Sequence, residues 1–172
     1  MSKTVSSEAF SEIFCQDTPF LDVRAPCEFS RGAFPNTTNL PLLSDSEREA
    51  VGTLYKRDGK SAAIALGHRL VNAEVKERLL VNWMDYINTS PNAVLLCQRG
   101  GLRSQTVQSR LAEAGCTIVR AQGGYKSLRR HLIDATDQFA KSGQLVLLAG
   151  KAGSGKTHFI NSLPCSIDLE GL

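Results

Sequence analysis

A strand, a polar loop and a helix follow one another in the middle of the chain, and this unit constrains the fold most. Residues 93–96 read Ala-Val-Leu-Leu, a continuously apolar run typical of a central strand in a parallel sheet. The loop begins at Cys97, and residues 104–114 carry apolar side chains at helical spacing until Gly115. Short strands and helices alternate along the rest of the chain, so the sequence predicts an α/β fold with a parallel sheet flanked by helices.

A long helical insertion separates the first predicted strand, residues 20–24, from the central one. The inserted helical hairpin is predicted over about residues 45–88. Ser44 and Glu47 fit a capping box that starts its first helix. Asp58-Gly59 is the predicted break, and a second helix is expected from residue 61 to about residue 88.

Composition excludes several classes of protein. The chain has 172 residues, 42% of them hydrophobic and 22% charged, which argues against a disordered or fibrous protein. Its net charge of +3 permits an acidic ligand without requiring one. The five cysteines form no C-x-x-C pair, so neither a disulfide scaffold nor a metal site is predicted. No signal peptide or long apolar run is found, and we expect a cytoplasmic protein with no membrane partner.

The loop after the central strand has the composition of an anion-binding site with a cysteine nucleophile. Two glycines let its backbone curl so that several N–H groups can face one anion, and two arginines add positive charge. A helix N-terminus follows, and together these groups should favour the thiolate of Cys97. The alternative is a buried structural cysteine beside two surface arginines. The predicted anion-binding loop consists of Gln98, Arg99, Gly100, Gly101, Leu102, Arg103 and Ser104.

A complete P-loop motif, G-x-x-x-x-G-K-T, lies near the end of the chain. It follows an apolar run at residues 145–149 that predicts a strand, the context in which such loops bind phosphates. The Thr157 hydroxyl can ligate Mg²⁺ there. Only fifteen residues follow Thr157, so we expect a first domain over residues 1–141 and a truncated P-loop domain over residues 142–172. The predicted phosphate-binding residues are Gly150, Gly153, Ser154, Gly155, Lys156 and Thr157.

Further motifs make the sequence similar to a known family. D-V-R-x-x-x-E-F-x-x-G-x-x-P at residues 22–35, N-L-P at 39–41 and G-G-Y at 123–125 resemble a rhodanese domain. V-G-x-x-Y-K at residues 51–56, C-x-R-G-G-x-R-S at 97–104 and the terminal G-S-G-K-T and D-L-E-G-L resemble the subfamily that fuses this domain to a P-loop domain. That subfamily is the tRNA 2-selenouridine synthases, and the resemblance covers essentially the whole chain as an N-terminal part of a longer protein.

The resemblance implies a function. It implies a transferase that replaces sulfur by selenium in the wobble 2-thiouridine of tRNA, using selenophosphate and passing through a geranylated intermediate made from geranyl diphosphate. Cys97 would be the catalytic rhodanese cysteine that carries or delivers selenium, and the P-loop would hold the diphosphate. No tightly bound cofactor is implied, and the expected partners are this tRNA and an enzyme that supplies selenophosphate.

A basic cluster is the predicted tRNA contact. Lys126, Arg129 and Arg130 follow the Gly-Gly turn and are expected on the same rim as Cys97, where phosphate contacts would be sensitive to salt. The alternative is a solvated helix face.

Three other functions remain open at this point. Arg103 stands six residues after Cys97, a C-x5-R spacing that also resembles rhodanese-fold phosphatases and arsenate reductases. Against them, Leu96 occupies the position where those enzymes usually carry histidine, and the loop lacks an acid to protonate a leaving group. A simple rhodanese sulfurtransferase and a non-enzymatic anion-binding interaction module are the remaining alternatives.

Overall fold

The structure is a computed structural model that describes residues 3–164 and 166–168, and the chain divides into two compact units. The first unit comprises Met1–Ala135 and the second Thr136–Leu172. No helix within the described residues is long and apolar enough to cross a membrane.

Five short strands form the sheet of the first unit, and all of the paired neighbours are parallel. The strand order is β1-β5-β4-β2-β3, which puts the strand that ends at Cys97 in the centre. The prediction of a parallel sheet flanked by helices is thereby confirmed. The strands are β1 (Thr4–Val5), β2 (Phe20–Asp22), β3 (Thr37–Asn39), β4 (Val94–Leu96) and β5 (Val119–Ala121).

Helices cover both faces of this sheet because its central strands are apolar on both sides. One hydrophobic cluster joins Leu21 and Leu95 to Trp83 and Leu111, and the other joins Phe20 and Leu96 to residues such as Phe10 and Leu128. The helices are α1 (Phe10–Cys15), α2 (Pro26–Phe29), α3 (Asp45–Leu70), α4 (Ala73–Thr89), α5 (Leu102–Glu113) and α6 (Gly124–Ser142).

The insertion differs from the predicted hairpin in one respect. The break at Gly59 is present, as a residue with φ 84° that kinks α3. The second helix predicted from residue 61 to about 88 is wrong, because α3 ends at Leu70 and α4 begins at Ala73. The reason is a local cap: the Asn72 side chain accepts a hydrogen bond from the Val75 N–H at 3.0 Å and starts a new helix.

The second unit contains a helix at the P-loop but not the strand predicted before it. Helix α7 (Lys156–Asn161) begins inside the motif. The strand predicted at residues 145–149 does not form, and Leu145, Val146 and Leu147 are 76%, 96% and 83% exposed. A strand needs a hydrogen-bonded neighbour, and none of the described residues 136–168 forms one. Of the D-L-E-G-L motif, residues 169–172 lie outside the described residues.

Candidate active site

Cys97 lies at the carboxyl end of the central strand, with its thiol held by a serine of the following helix. The side chain is 2% exposed, and its Sγ donates a hydrogen bond to Ser104 Oγ at 3.2 Å. Ser104 is fully buried, and its hydroxyl donates to the Gly101 carbonyl at 3.1 Å. The predicted nucleophile therefore has a hydroxyl that can turn to donate to a thiolate.

The loop after Cys97 presents unused backbone donors. Gly100 has φ 61°, a conformation that favours glycine, and Gly101 is the N-cap of α5. Within the described part of the chain, the N–H groups of residues 98–101 donate to no protein acceptor. Free N–H groups at the start of a helix are donors for an anion, as the sequence predicted for this loop.

The start of α6 fixes the shape of the loop. The Tyr125 N–H donates to the Cys97 carbonyl at 2.9 Å, and the Lys126 N–H donates to the Gln98 carbonyl at 3.1 Å. Gly124 (φ 59°) lies so close that a Cβ there would overlap the Cys97 carbonyl oxygen and come within 2.5 Å of the Gly100 nitrogen. The G-G-Y motif therefore allows the backbone at the start of α6 to lie close to the backbone of the Cys97 loop.

Arg103, the last basic residue of the loop, pairs with Glu28 of helix α2, which follows strand β2. Its two terminal nitrogens donate to the two carboxylate oxygens, one of them at 3.2 Å. Arg48 of α3 reaches the same carboxylate at 3.5 Å, and the Ala25 N–H donates to it at 3.2 Å. Sequence reasoning missed the contact of Arg48 with Glu28, because no local pattern links residues of two different elements.

Opposing effects set the ionisation of this pair. Burial raises the pKa of Glu28, but the hydrogen bonds and charge of Arg103 outweigh it, and the net pKa lies below the ordinary value. Burial likewise lowers the pKa of Arg103, while Glu28 and the Cys97 side chain raise it to a net value above the ordinary one. Both groups are therefore charged near neutral pH, and the pair is an ion pair.

Arg24, which follows strand β2, also contacts residues around the Cys97 loop. It is 1% exposed, pairs with Asp22 at 2.7 Å, and stacks its guanidinium 3.8 Å from the centre of the Tyr125 ring. It also donates to the Gly32 carbonyl at 2.9 Å and to the Gln98 side chain at 3.4 Å. Burial raises the pKa of Asp22, and Arg24 opposes that shift. This arginine links the D-V-R motif to the Cys97 loop, a structural role that the sequence alone did not reveal.

A cleft of about 770 Å³ opens beside the Cys97 loop, and its other wall is the inserted helix α3. Among the described residues, the lining includes the exposed ring of Tyr55 and two acidic side chains, Glu28 and Glu49. An adjoining cavity of about 100 Å³ shares part of this wall and is lined mainly by apolar residues such as Leu42 and Val71. The cationic residues of the cleft are Arg48, Lys56, Lys60, Arg99 and Arg103.

The basic cluster predicted for tRNA lies on α6. Lys126, Arg129 and Arg130 are exposed, and Arg130 pairs with Asp134 at 2.9 Å. The backbone of Lys126 contacts the Cys97 loop, but the side chains of the three are not among those that line the cleft. The cations in the cleft come from α3 and from the loop itself.

The P-loop belongs to the second unit. Lys156 is the first residue of α7, and its Nζ donates to the carbonyls of Gly150 and Lys151 at 2.8 Å each. Gly153 and Gly155 have φ 75° and 82°, which the turn requires. The described residues include no cluster of three or more metal-ligating side chains. Thr157 fits a Mg²⁺ ion only as one hydroxyl ligand beside the phosphates of a bound anion.

Comparisons with known proteins point to one family. The chain is 50% identical over 168 residues to a tRNA 2-selenouridine synthase of Shewanella sediminis, covering 98% of the chain and 46% of that protein. It is 49% identical over 162 residues to one of Pseudomonas fluorescens, covering 94% of the chain and 44% of that protein. The chain therefore spans about half the length of the curated relatives it matches. No protein-family model matches it.

A solved structure resembles about three quarters of the chain. It is the N-terminal domain of a Clostridium difficile 630 protein described as ATP/GTP-binding, with a TM-score of 0.68 and 28% identity. The match covers 76% of this chain and 99% of that domain.

Proposed function

Because the chain belongs, over its own length, to the tRNA 2-selenouridine synthase family, we propose that it serves the exchange of sulfur for selenium in a tRNA 2-thiouridine. Cys97 is the catalytic residue in this proposal. The observation that carries it is the buried cysteine at the end of the central strand, followed by a loop with free N–H donors and facing a cationic cleft. A selenophosphate anion is the kind of ligand that such a loop binds.

The co-substrates in this proposal, selenophosphate and geranyl diphosphate, are those that the resemblance to the family implies. The sulfur atom of 2-thiouridine attacks geranyl diphosphate and displaces diphosphate, which makes that sulfur a better leaving group. The Cys97 thiolate then attacks the phosphorus of selenophosphate and displaces selenide, which adds to the ring carbon while the sulfur departs as geranylthiol. Hydrolysis of the phosphocysteine releases phosphate and restores the Cys97 thiol. The apolar cavity beside the cleft supports an apolar group on the substrate, since it offers such a chain contacts that exclude water.

The P-loop of the second unit is proposed to hold the diphosphate of geranyl diphosphate, with Mg²⁺ as a partner of the phosphates and Thr157. Lys156 is the side chain that would turn from its own loop carbonyls to the phosphate oxygens. A Lys156→Ala variant should bind geranyl diphosphate about tenfold more weakly by calorimetry, since it loses a charge-assisted contact. Lys151→Ala, in the same loop but outside the G-K-T end, is the matched control. Equal binding by the Lys156 variant would reject the assignment.

Nucleoside mass spectrometry tests the proposed function. The chain is incubated with selenophosphate, geranyl diphosphate and an RNA that contains 2-thiouridine, beside Cys97→Ala and Cys116→Ala variants. The longer Shewanella sediminis relative and its corresponding cysteine variant serve as a second pair. We expect 2-selenouridine with the parent proteins and the Cys116 variant, and none with the Cys97 variant. Selenouridine formation that is independent of Cys97 would refute its catalytic role.

A C-x5-R phosphatase is the second candidate, supported by Arg103, which stands six residues after Cys97 and lines the same cleft. Hydrolysis of an aryl phosphate distinguishes the two functions. Cys97-dependent release of phenolate without any selenium exchange would favour the phosphatase.

A further inference from the structure

The V-G-x-x-Y-K motif at residues 51–56 has no part in the chemistry described so far, yet it forms the wall opposite the Cys97 loop. Gly52, Tyr55 and Lys56 all line the cleft that contains Cys97, and Lys60 joins them one turn later. The kink at Gly59 separates the two lysines along the chain. We name the set Gly52, Tyr55, Lys56 and Lys60 the α3 wall.

Tyr55 presents an exposed aromatic ring to the cleft. Its side chain is 57% exposed, although most aromatic rings of the first unit pack into the two hydrophobic clusters. A largely exposed ring in a cleft of about 770 Å³ has room for a flat partner on its face. Unpaired nucleobases are stacked on such rings by RNA-binding proteins.

The lysines supply the second requirement for RNA, a charged track for phosphates. Lys56 and Lys60 are exposed and form no ion pair or side-chain hydrogen bond among the described residues. Arg57, between them, pairs with Asp58 at 2.8 Å instead and does not line the cleft. Among the described residues, the acidic side chains of the cleft are Glu49 and Glu28, and Glu28 is paired with Arg103 and Arg48. The described lining of the cleft is therefore net positive.

Gly52 is a third, independent observation. It lies inside helix α3, where glycine destabilises the helix relative to alanine. Packing does not require it, because a Cβ at this position would meet nothing within 4 Å. The absence of a side chain at Gly52 leaves open space on the α3 wall beside Tyr55. A ligand that approaches the helix backbone closely accounts for a glycine at this position.

We propose that the α3 wall binds the single-stranded RNA segment that carries the reacting uridine, with a base on the Tyr55 ring and phosphates at Lys56 and Lys60. The inference rests on the proposed function, which makes RNA the substrate. It places the RNA track on the inserted helix, where the cleft is, rather than on α6. Loop nucleotides whose bases are unstacked can enter a cleft in this way, whereas a duplex cannot.

Binding of an anticodon stem–loop RNA with 2-thiouridine tests the proposal. The full chain is titrated against the labelled RNA by fluorescence anisotropy at several salt concentrations. The double variant Lys56→Ala/Lys60→Ala should bind about tenfold more weakly, with a salt slope reduced by about two. Tyr55→Ala should lose about tenfold, and Tyr55→Phe should restore most of the affinity. Arg57→Ala, which removes a neighbouring charge outside the cleft, is the matched control.

Gly52→Ala gives a readout that a merely structural role would not produce. The substitution should raise the melting temperature, because it favours the helix, and should weaken RNA binding at the same time. A variant that gains stability and keeps full affinity would count against the α3 wall.

The outcomes separate this inference from the proposed function. If the Tyr55 and lysine variants bind like the parent chain, or if the parent chain does not bind the RNA, the α3 wall is overturned. Cys97-dependent selenium exchange would still uphold the function in either case. If the variants lose binding as expected but no exchange depends on Cys97, the wall stands and the proposed function falls.

Discussion

The two terminal nitrogens of Arg103 donate hydrogen bonds to the two carboxylate oxygens of Glu28, so an acid from a different element orients the arginine of the anion-binding loop. Glu28 follows β2 and Arg103 follows β4, and these two strands are neighbours in the sheet. The ion pair therefore connects the Cys97 loop to helix α2, which contains Glu28. An anion that binds at Cys97 meets an arginine whose orientation is already set.

Replacing Glu28 by Gln should loosen this part of the site. The substitution removes the negative charge that pairs with the partly buried Arg103 guanidinium. We therefore expect a loss of about 2 kcal/mol in the free energy of unfolding. Urea denaturation measures it. Glu8→Gln, at an exposed acid that forms no ion pair with another described residue, is the control and should change little. Equal stability of the Glu28 variant and the parent would show that the pair does not hold the loop.

Acid should weaken the parent chain more than the Glu28→Gln variant. The folded-state pKa of Glu28 lies below its ordinary value, so its contribution is present above about pH 4.5 and is lost as the pH falls through the folded-state pKa. Melting temperatures between about pH 3 and pH 7 should therefore converge for the two proteins at the acid end. Parallel curves over that range would contradict the sign of this shift.

Gly124→Ala should disrupt the Cys97 loop. A side chain at this position overlaps the Cys97 carbonyl oxygen, and the backbone φ of 59° disfavours any residue but glycine. We expect a loss of about 2 kcal/mol or more in stability, together with loss of selenium exchange. Gly115→Ala, also at positive φ but with nothing within 4 Å, provides a control for strain without overlap. Similar losses in both variants would mean that strain alone, and not contact with the loop, explains the effect.

Ser104→Ala tests the hydroxyl beside the cysteine. The serine accepts a hydrogen bond from the Cys97 thiol, and its hydroxyl can donate to the thiolate during reaction. Without that donor the rate of Cys97-dependent exchange should fall about tenfold, while the fold is kept because the methyl group fits the same buried space. Ser109→Ala, on an exposed position of the same helix, should react like the parent. An unchanged rate in the Ser104 variant would remove the hydroxyl from the mechanism.

The unit from β4 through Cys97 to α5 was predictable because each part carries a local signal: an apolar run, two glycines and a helical period. Strands β1 and β3 were missed, since they are two and three residues long and β3 reads Thr-Thr-Asn. The helix break at Asn72 was also missed, because the apolar stripe continues across it while the cap depends on one side chain.

The candidate site was predictable only in part. The sequence predicts Cys97 and its loop as one site, because the strand, the glycines and the helix start are adjacent in the chain. The Glu28–Arg103 pair joins residues 75 positions apart, and the cations of α3 reach the cleft only because the inserted helix folds over the loop. Such contacts depend on tertiary packing, which no local pattern encodes. The strand predicted at residues 145–149 shows the converse, since an apolar run alone does not make a strand without a neighbour.

The most direct test of the central claim is to record amide nitrogen–proton correlation spectra of the chain as selenophosphate is added. If the loop after Cys97 is an anion site, the amide signals of residues 98–101, including Gly100 and Gly101, will shift in a saturable way. Gly67 and Gly115, which lie outside the loop, will keep their positions. Loop signals that stay unchanged while selenophosphate is present in large excess would contradict the account.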